Sequence, residues 1–126
     1  MKRCWIGFFL LLVLLLGGWV STEAMDGIHT PLAEELDRAA EAALAGNWQE
    51  AERYAREAAD RWKKWEHVRA CFADHTPIEE IDADMKEMEV YCDTREEVAF
   101  AAACRSLSRK VAAVGEAHGL VWWNLL

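Results

Sequence analysis

The sequence predicts an all-α protein: one N-terminal transmembrane helix followed by a small antiparallel bundle of about four helices. Three observations carry this reading. Residues 4–20 (CWIGFFLLLVLLLGGWV) form 17 residues without a charge. Beyond residue 30, apolar residues recur at alternating steps of three and four, the spacing of one helix face. No stretch alternates with the period of two that a half-buried strand requires.

The N-terminal segment comes first. Met1-Lys2-Arg3 is a short basic start, and Glu23 and Asp26 follow the apolar run. A spanning helix needs about 20 apolar residues, with roughly 17 as the lower limit. Ser21 and Thr22 extend the run without charge. Positive charge before it and negative charge after it place the N-terminus in the cytoplasm and the remainder outside, as a single-pass protein of the cell membrane. Trp5 and Trp19 stand near the two ends, where indole rings favour the membrane interface. The competing reading is a cleaved signal peptide, since the densest apolar stretch, residues 6–16, has that length. Gly17-Gly18 breaks the stretch, but Thr22-Glu23-Ala24 is a poor small-x-small cleavage site. Both readings export residues 25–126, so the division is 1–24 for the anchor and 25–126 for an extracytoplasmic helical domain.

That domain is acidic. With Lys2 and Arg3 set aside, 12 basic residues face 22 acidic ones, a balance of −10. Nucleic acid and anionic headgroups would be repelled by it, so no nucleic-acid partner is expected.

Within the domain, residues 25–29 read as a linker. Thr30-Pro31 then reads as the N-cap and first position of helix A, which continues to about Ala45 with Leu32, Leu36, Ala40, Ala43 and Leu44 on its stripe. Gly46 ends it. Asn47-Trp48-Gln49-Glu50 opens helix B at once, with Glu at the third position. Its seam runs from Trp48 through Ala51, Ala55, Ala58, Trp62 and Trp65 to Phe72, widened by Tyr54 and Ala59. Residues 73–77 are a break, and Thr76-Pro77-Ile78-Glu79 is a capping box for helix C. Helix C carries Ile78, Ile81, Met85, Met88 and Cys92 on one face. Thr94-Arg95-Glu96-Glu97 is a second capping box, opening helix D with Phe100, Cys104, Leu107, Val111, Val114 and His118. Gly119 stops it. The tail at 120–126 carries Trp122 and Trp123, suited to covering the bundle end or to docking on a partner or membrane surface.

Three stretches carry a likeness to a known group. They are Gly46-Asn47-Trp48-Gln49-Glu50-Ala51 followed by Trp62-Lys63-Lys64-Trp65, then Phe72-Ala73-Asp74-His75 leading into Ile78-Glu79-Glu80-Ile81-Asp82, and the ending Val121-Trp122-Trp123-Asn124-Leu125-Leu126. In these the chain resembles the short bacterial proteins, mostly from Firmicutes, gathered as domain of unknown function 4363. The resemblance implies an anchored helical protein and no particular activity. Cys71, Cys92 and Cys104 lie outside that pattern, so any thiol role would be peculiar to this chain.

One constellation has metal-ligand chemistry. His67, Cys71 and His75 fall at i, i+4 and i+8, one face of a helix if helix B extends that far, and Asp74 supplies a fourth donor. The competing reading is a histidine at a helix start bonded to backbone or carboxylate. A Cys92–Cys104 disulfide is geometrically poor, because Cys92 is beside the turn while Cys104 lies about 13 Å along helix D. Cys71 with Cys104 is the better pair if helices B and D touch. Glu79, Glu80, Asp82, Asp84, Glu87 and Glu89 read as a solvated acidic face, with no Asp-x-Asp-x-Asp-Gly calcium loop. No nucleophile–base pairing or phosphate loop is present, so no enzyme activity and no cofactor are expected. The sequence therefore favours a membrane-anchored protein-interaction or scaffold module over a small-ligand or metal-binding surface module using His67, Cys71, Asp74 and His75.

Overall fold

A computed structural model describes residues 2–67 and 75–120 of the chain. Among the described residues the fold is carried by α1 (Lys2–Leu44), α2 (Trp48–Lys64), α3 (His75–Thr94) and α4 (Glu97–Leu120). Among the described residues there is no strand, so the all-α bundle stands.

The first difference from the sequence reading is that α1 is one helix of 43 residues. The linker expected at 25–29 is helical, and Thr30-Pro31 lies inside the helix rather than opening it. Proline has no N–H to give the carbonyl of Gly27, four residues earlier. Gly27 is exposed, so water can satisfy that carbonyl. Meanwhile His29, immediately before Thr30, is buried. Packing on both sides of the proline thus overrides a local start signal. Among the described residues no helix is long and apolar enough to cross a membrane. Residues 4–20 are helical as expected, but 17 residues is only about the lower limit for a span, and the expected transmembrane crossing finds no support here.

The turn after α1 follows the sequence closely. Gly46 adopts φ 77°. Its N–H donates to the Ala43 carbonyl at 3.0 Å, and the Asn47 N–H to the Ala42 carbonyl at 2.9 Å, the paired bonds of a Schellman cap. The Asn47 side chain then accepts from the Glu50 N–H and caps α2.

Helix α2 stops at Lys64, short of the Phe72 expected, with Trp65 at φ −94° and ψ 6°. No glycine or proline marks this stop. Arg61, Lys63 and Lys64 fill the last turn, where cations offset the negative end of the helix dipole.

Helix α3 (His75–Thr94) already includes Thr76 and Pro77, so Thr76, the expected cap, lies within the helix. At its other end a second Schellman turn forms on a residue other than glycine. Arg95 adopts φ 55°, while its N–H bonds to Cys92 O and that of Glu96 to Tyr91 O. The capping box expected at residue 94 does not form. The Thr94 hydroxyl donates backward to the Val90 carbonyl at 2.9 Å and so closes α3 instead of opening α4. Gly119 does not end α4, which continues to Leu120.

The core sits where the four stripes meet. Leu32 and Leu36 of α1, Ile81 and Met88 of α3, and Phe100 and Leu107 of α4 are its largest fully buried side chains. Helix α2 contributes mostly alanine, Ala51, Ala55 and Ala58, closed at its end by Trp62. Leu44 is the exception on α1: as the last helical residue it stands 50% exposed, and Ala39 is buried instead. Helix α1 packs chiefly on α4 and next on α2, while α3 packs on α4 and touches α2 only lightly.

Candidate functional site

The connections fix the direction of each helix. Joined in turn, α1 and α3 run one way and α2 and α4 the other. One end of the bundle therefore holds the two tight turns. The opposite end gathers the point where α1 enters, the last turn of α2, the first turn of α3 and the last turn of α4.

That second end is held by polar contacts between helices. Arg61 on α2 grips Glu35 on α1 with a two-pronged contact, Nε to Oε2 at 3.1 Å and Nη2 to Oε1 at 2.6 Å. The adjacent Trp62 donates its indole N–H to Asp82 on α3 at 2.5 Å. Lys110 on α4 binds Asp84 on α3 at 2.6 Å, with Glu80 at 4.0 Å. The hydrogen bonds it donates to Glu35 hold the Arg61 guanidinium above its usual range, and the one donated to Asp84 does the same for the Lys110 ammonium. Both stay charged at any physiological pH. Closer still to the α1 entry, Gly115 of α4 lies against His29 of α1. A Cβ added at Gly115 would meet His29 Cβ at 3.0 Å.

The acidic series on α3 is consequently more than a solvated face. Asp82 and Asp84 are half-buried and partnered across helices, and Glu87 accepts from the Tyr91 hydroxyl at 2.6 Å. Glu79, Glu80 and Glu89 remain exposed as expected.

Between α2 and α3, where packing is light, runs an open groove of about 310 Å³. Ala55 and Ala59 make one wall, Met88 and Cys92 the other, with Arg56, Asp60, Glu89 and Asp93 at the rim. Its mixed charge and openness give no convergent donor set. The Cys92 thiol is half-buried there and held above its usual pKa range, first by burial and then by Glu52 and Asp93. Cys104, on the α4 seam, is fully buried, and burial pushes its thiol up to about 12. A thiol in that state is neither a nucleophile nor a metal ligand at neutral pH. Cys4, Cys92 and Cys104 are all free. Cys71, the better disulfide partner on sequence grounds, lies outside the described residues.

The proposed metal ligands fall across the gap in the description. His67 is exposed beyond the end of α2, and His75 is the first residue of α3, so both belong to the α1-entry end. Cys71 and Asp74 lie outside the described residues. Among the described residues no three His, Cys, Asp or Glu side chains converge as a metal site.

Sequence reasoning missed His29, Glu35 and the Asp82 and Asp84 pairings. Each partner is 20 or more residues away in sequence, which no local spacing rule detects. The only available signal for His29 was its place two helical turns before Leu36, on the stripe extended backward through the presumed linker.

Neither a curated protein nor a solved structure matches the chain. The family described as domain of unknown function DUF4363 matches residues 20–125, which takes in α2, α3, α4 and α1 from Val20 onward. The chain belongs to the DUF4363 family.

Proposed function

We propose that this chain is a single-pass, membrane-anchored scaffold module without catalytic activity, its N-terminus cytoplasmic and its helical bundle outside. The observation that carries the reading is the first half of α1. Its large apolar side chains from Trp5 to Val20 are all 42–75% exposed, on every side of the helix. A helix apolar all round has no face to give to water, and no other described helix covers it. Lipid is the medium that suits such a cylinder.

Length sets the tightest constraint on this reading. With Ser21 and Thr22 the uncharged stretch is 19 residues, which as α-helix is about 28 Å against a hydrocarbon core of about 30 Å. A shortfall of that size is met by slight local thinning of the bilayer. Trp19 supports the placement of the outer edge: its indole N–H donates to Glu23 at 3.1 Å, joining an interfacial ring to the first carboxylate beyond the run. Because α1 continues without a break into the core, the bundle would stand on its anchor through a helix instead of a flexible tether. That suits a part that holds a partner at a set height.

The test is labelling of the full-length chain in intact cells with a membrane-impermeant maleimide, coupled to alkaline carbonate extraction. Gln49→Cys, at the exposed N-terminus of α2, should label from outside while Cys4 does not, and the protein should stay with the membrane. Release by carbonate, or labelling of Cys4 alone, would overturn the reading. Mass spectrometry of the mature protein should recover residues 1–20; their loss would establish a cleaved leader instead. The scaffold role is checked by co-purification from native membranes, where recovery of the free monomer alone would count against it.

A further inference from the structure

Charge on the outer face of α3 and α4 is sorted by helix. Between residues 98 and 115, α4 carries Arg105, Arg109 and Lys110 and no carboxylate. Helix α3 carries seven carboxylates against one lysine, Lys86, a balance of −6. The two helices meet along a trough of about 340 Å³. Glu87 and Tyr91 stand on its α3 side, and Ala102, Ala103 and Ser106 make its α4 side. Lys110 reaches across it to Asp84. Arg109 is about 100° round the helix from Lys110 and exposed, so it stands on the edge of α4 away from α3. Arg105, one turn earlier and also exposed, shares that edge. From one side to the other the face is therefore an acidic row, a trough of small side chains and a basic row. Among the described residues neither Arg105 nor Arg109 has a carboxylate partner; the Arg109 Nε donates to the Arg105 carbonyl at 3.3 Å. The contact of Lys110 with Asp84 sets the heights. Along an antiparallel pair one helix counts down as the other counts up, so Arg109 is level with residue 85 and Arg105 with residue 89. Glu87 lies midway, about 3 Å in height from each.

We propose that this face joins two copies of the chain about a two-fold axis parallel to the helices, with Arg105 and Arg109 of each copy on Glu87 of the other. Charge selects the axis. A two-fold parallel to the helices exchanges the two edges of the face and keeps every height, so the basic row meets the acidic row at a level already in register. A two-fold lying across the helices keeps each edge on its own side and sets acidic row on acidic row. The anchor reading calls for the same axis, because two chains rooted in one bilayer share their direction. The proposal names the partner of the scaffold and rests on that reading for the common membrane. The trough lets the copies approach, since Ala102 and Ser106 hold nothing large between the helix axes. Helix α3 has 20 residues, so two helices about 30 Å long and about 10 Å wide present about 600 Å² per copy. That is below the roughly 800 Å² per partner of a standard interface. Confinement to one bilayer offsets the difference, because anchored chains meet with part of their freedom already lost.

The experiment is sedimentation equilibrium of the full-length chain in density-matched detergent micelles, with helix circular dichroism on each sample. The wild type should form a reversible dimer that weakens as salt shortens the range of charge. Arg105→Glu/Arg109→Glu and, separately, Glu87→Arg should each raise the dissociation constant at least about tenfold at unchanged helix content. Mixed in equal amounts, the two variants should pair with one another about as tightly as the wild type, because both contacts of the mixed dimer are again opposite in charge. Recovery in the mixture also shows that both variants are folded. A wild type that stays monomeric overturns the proposal. So does a dimer that both variants retain, because another surface then joins the copies, or one that mixing fails to restore. A monomer that stays with the membrane under alkaline carbonate leaves the anchor standing without this interface. A dimer that passes the charge exchange but is released by carbonate removes the anchor, and the interface stands.

Discussion

The contact between Gly115 and His29 predicts a substitution whose effect changes sign with its background. Gly115 lies inside α4, where replacing glycine by alanine ordinarily gains about 1 kcal/mol of helix propensity. Here the new methyl would stand 3.0 Å from His29 Cβ and 3.3 Å from Cγ. Carbon atoms prefer roughly 3.5–4.0 Å, so α1 and α4 must part by about half an ångström or more. Neither Cβ can swing aside, because both are fixed to helix backbone. Overpacking of this kind costs about 1–3 kcal/mol, which leaves Gly115→Ala destabilised by about 1 kcal/mol. In a His29→Gly background the opposing Cβ and ring are gone, and Gly115→Ala should then stabilise by about 1 kcal/mol. Urea unfolding of the full-length chain in detergent micelles, followed by helix circular dichroism, measures all four corners of the cycle. An equal stabilisation by Gly115→Ala in both backgrounds would refute the close approach of α1 and α4 and, with it, their register.

Other consequences follow from single sites. Arg95 holds φ 55° without being glycine, so Arg95→Gly should raise stability by about 0.5–1 kcal/mol, read as a higher unfolding midpoint at unchanged slope. Burial keeps the Cys104 thiol protonated up to about 12, against 9.0 for a free thiol. The folded chain thus holds this proton where the unfolded chain has lost it. The contribution is whole below pH 9 and falls by about 1.4 kcal/mol per unit as the pH rises toward 12. Cys104→Ala, although less stable at neutral pH, should lack that part of the alkaline slope in parallel unfolding curves; identical slopes would contradict the burial. Arg61→Met should cost about 1–2 kcal/mol by leaving Glu35, 13% exposed, without its fork. Adding Glu35→Gln should recover part of that loss, as thermal unfolding would register.

The apolar seams were legible because burial follows helical spacing directly. Ile81, Met85 and Met88, and Phe100, Cys104, Leu107 and Val111, are all buried as their steps of three and four require. Turns that depend on one residue were legible too, as at Gly46 and Asn47. What escaped was each place where a distant contact outvoted a local signal. Gly27 and Thr30-Pro31 are ordinary loop and start signals, yet His29 packed against α4 keeps α1 helical through them. Thr94 is an ordinary N-cap residue whose hydroxyl serves the preceding helix instead. The end of α2 at Lys64 has no sequence mark at all.

The contacts of Arg61, Trp62 and Lys110 share an arrangement that explains how so small a core selects one register. Acceptors sit on the helices running one way, Glu35 on α1 and Asp82 and Asp84 on α3. Donors sit on those running the other way, Arg61 and Trp62 on α2 and Lys110 on α4. Arg61 and Trp62 are consecutive, so about 100° of helix rotation separates them, and one turn of α2 reaches both neighbours. A slip of one turn would leave both donors without partners. On α1 the residues four away from Glu35 are Pro31 and Ala39, and on α3 those flanking Asp82 are Ile78 and Lys86. None of the four carries a carboxylate. Lys110 is different, because Glu80 stands one turn from Asp84 and would accept it after a slip. Polar pairing therefore fixes α1, α2 and α3 but leaves α4 one turn of freedom. Gly115 opposes that freedom: it is buried in α4, and any larger residue brought to its place would set a Cβ about 3.0 Å from His29 Cβ. The alanine-rich face of α2 could tolerate many alignments by packing alone. The register of α4 beside α1 is thus set at Gly115 and His29.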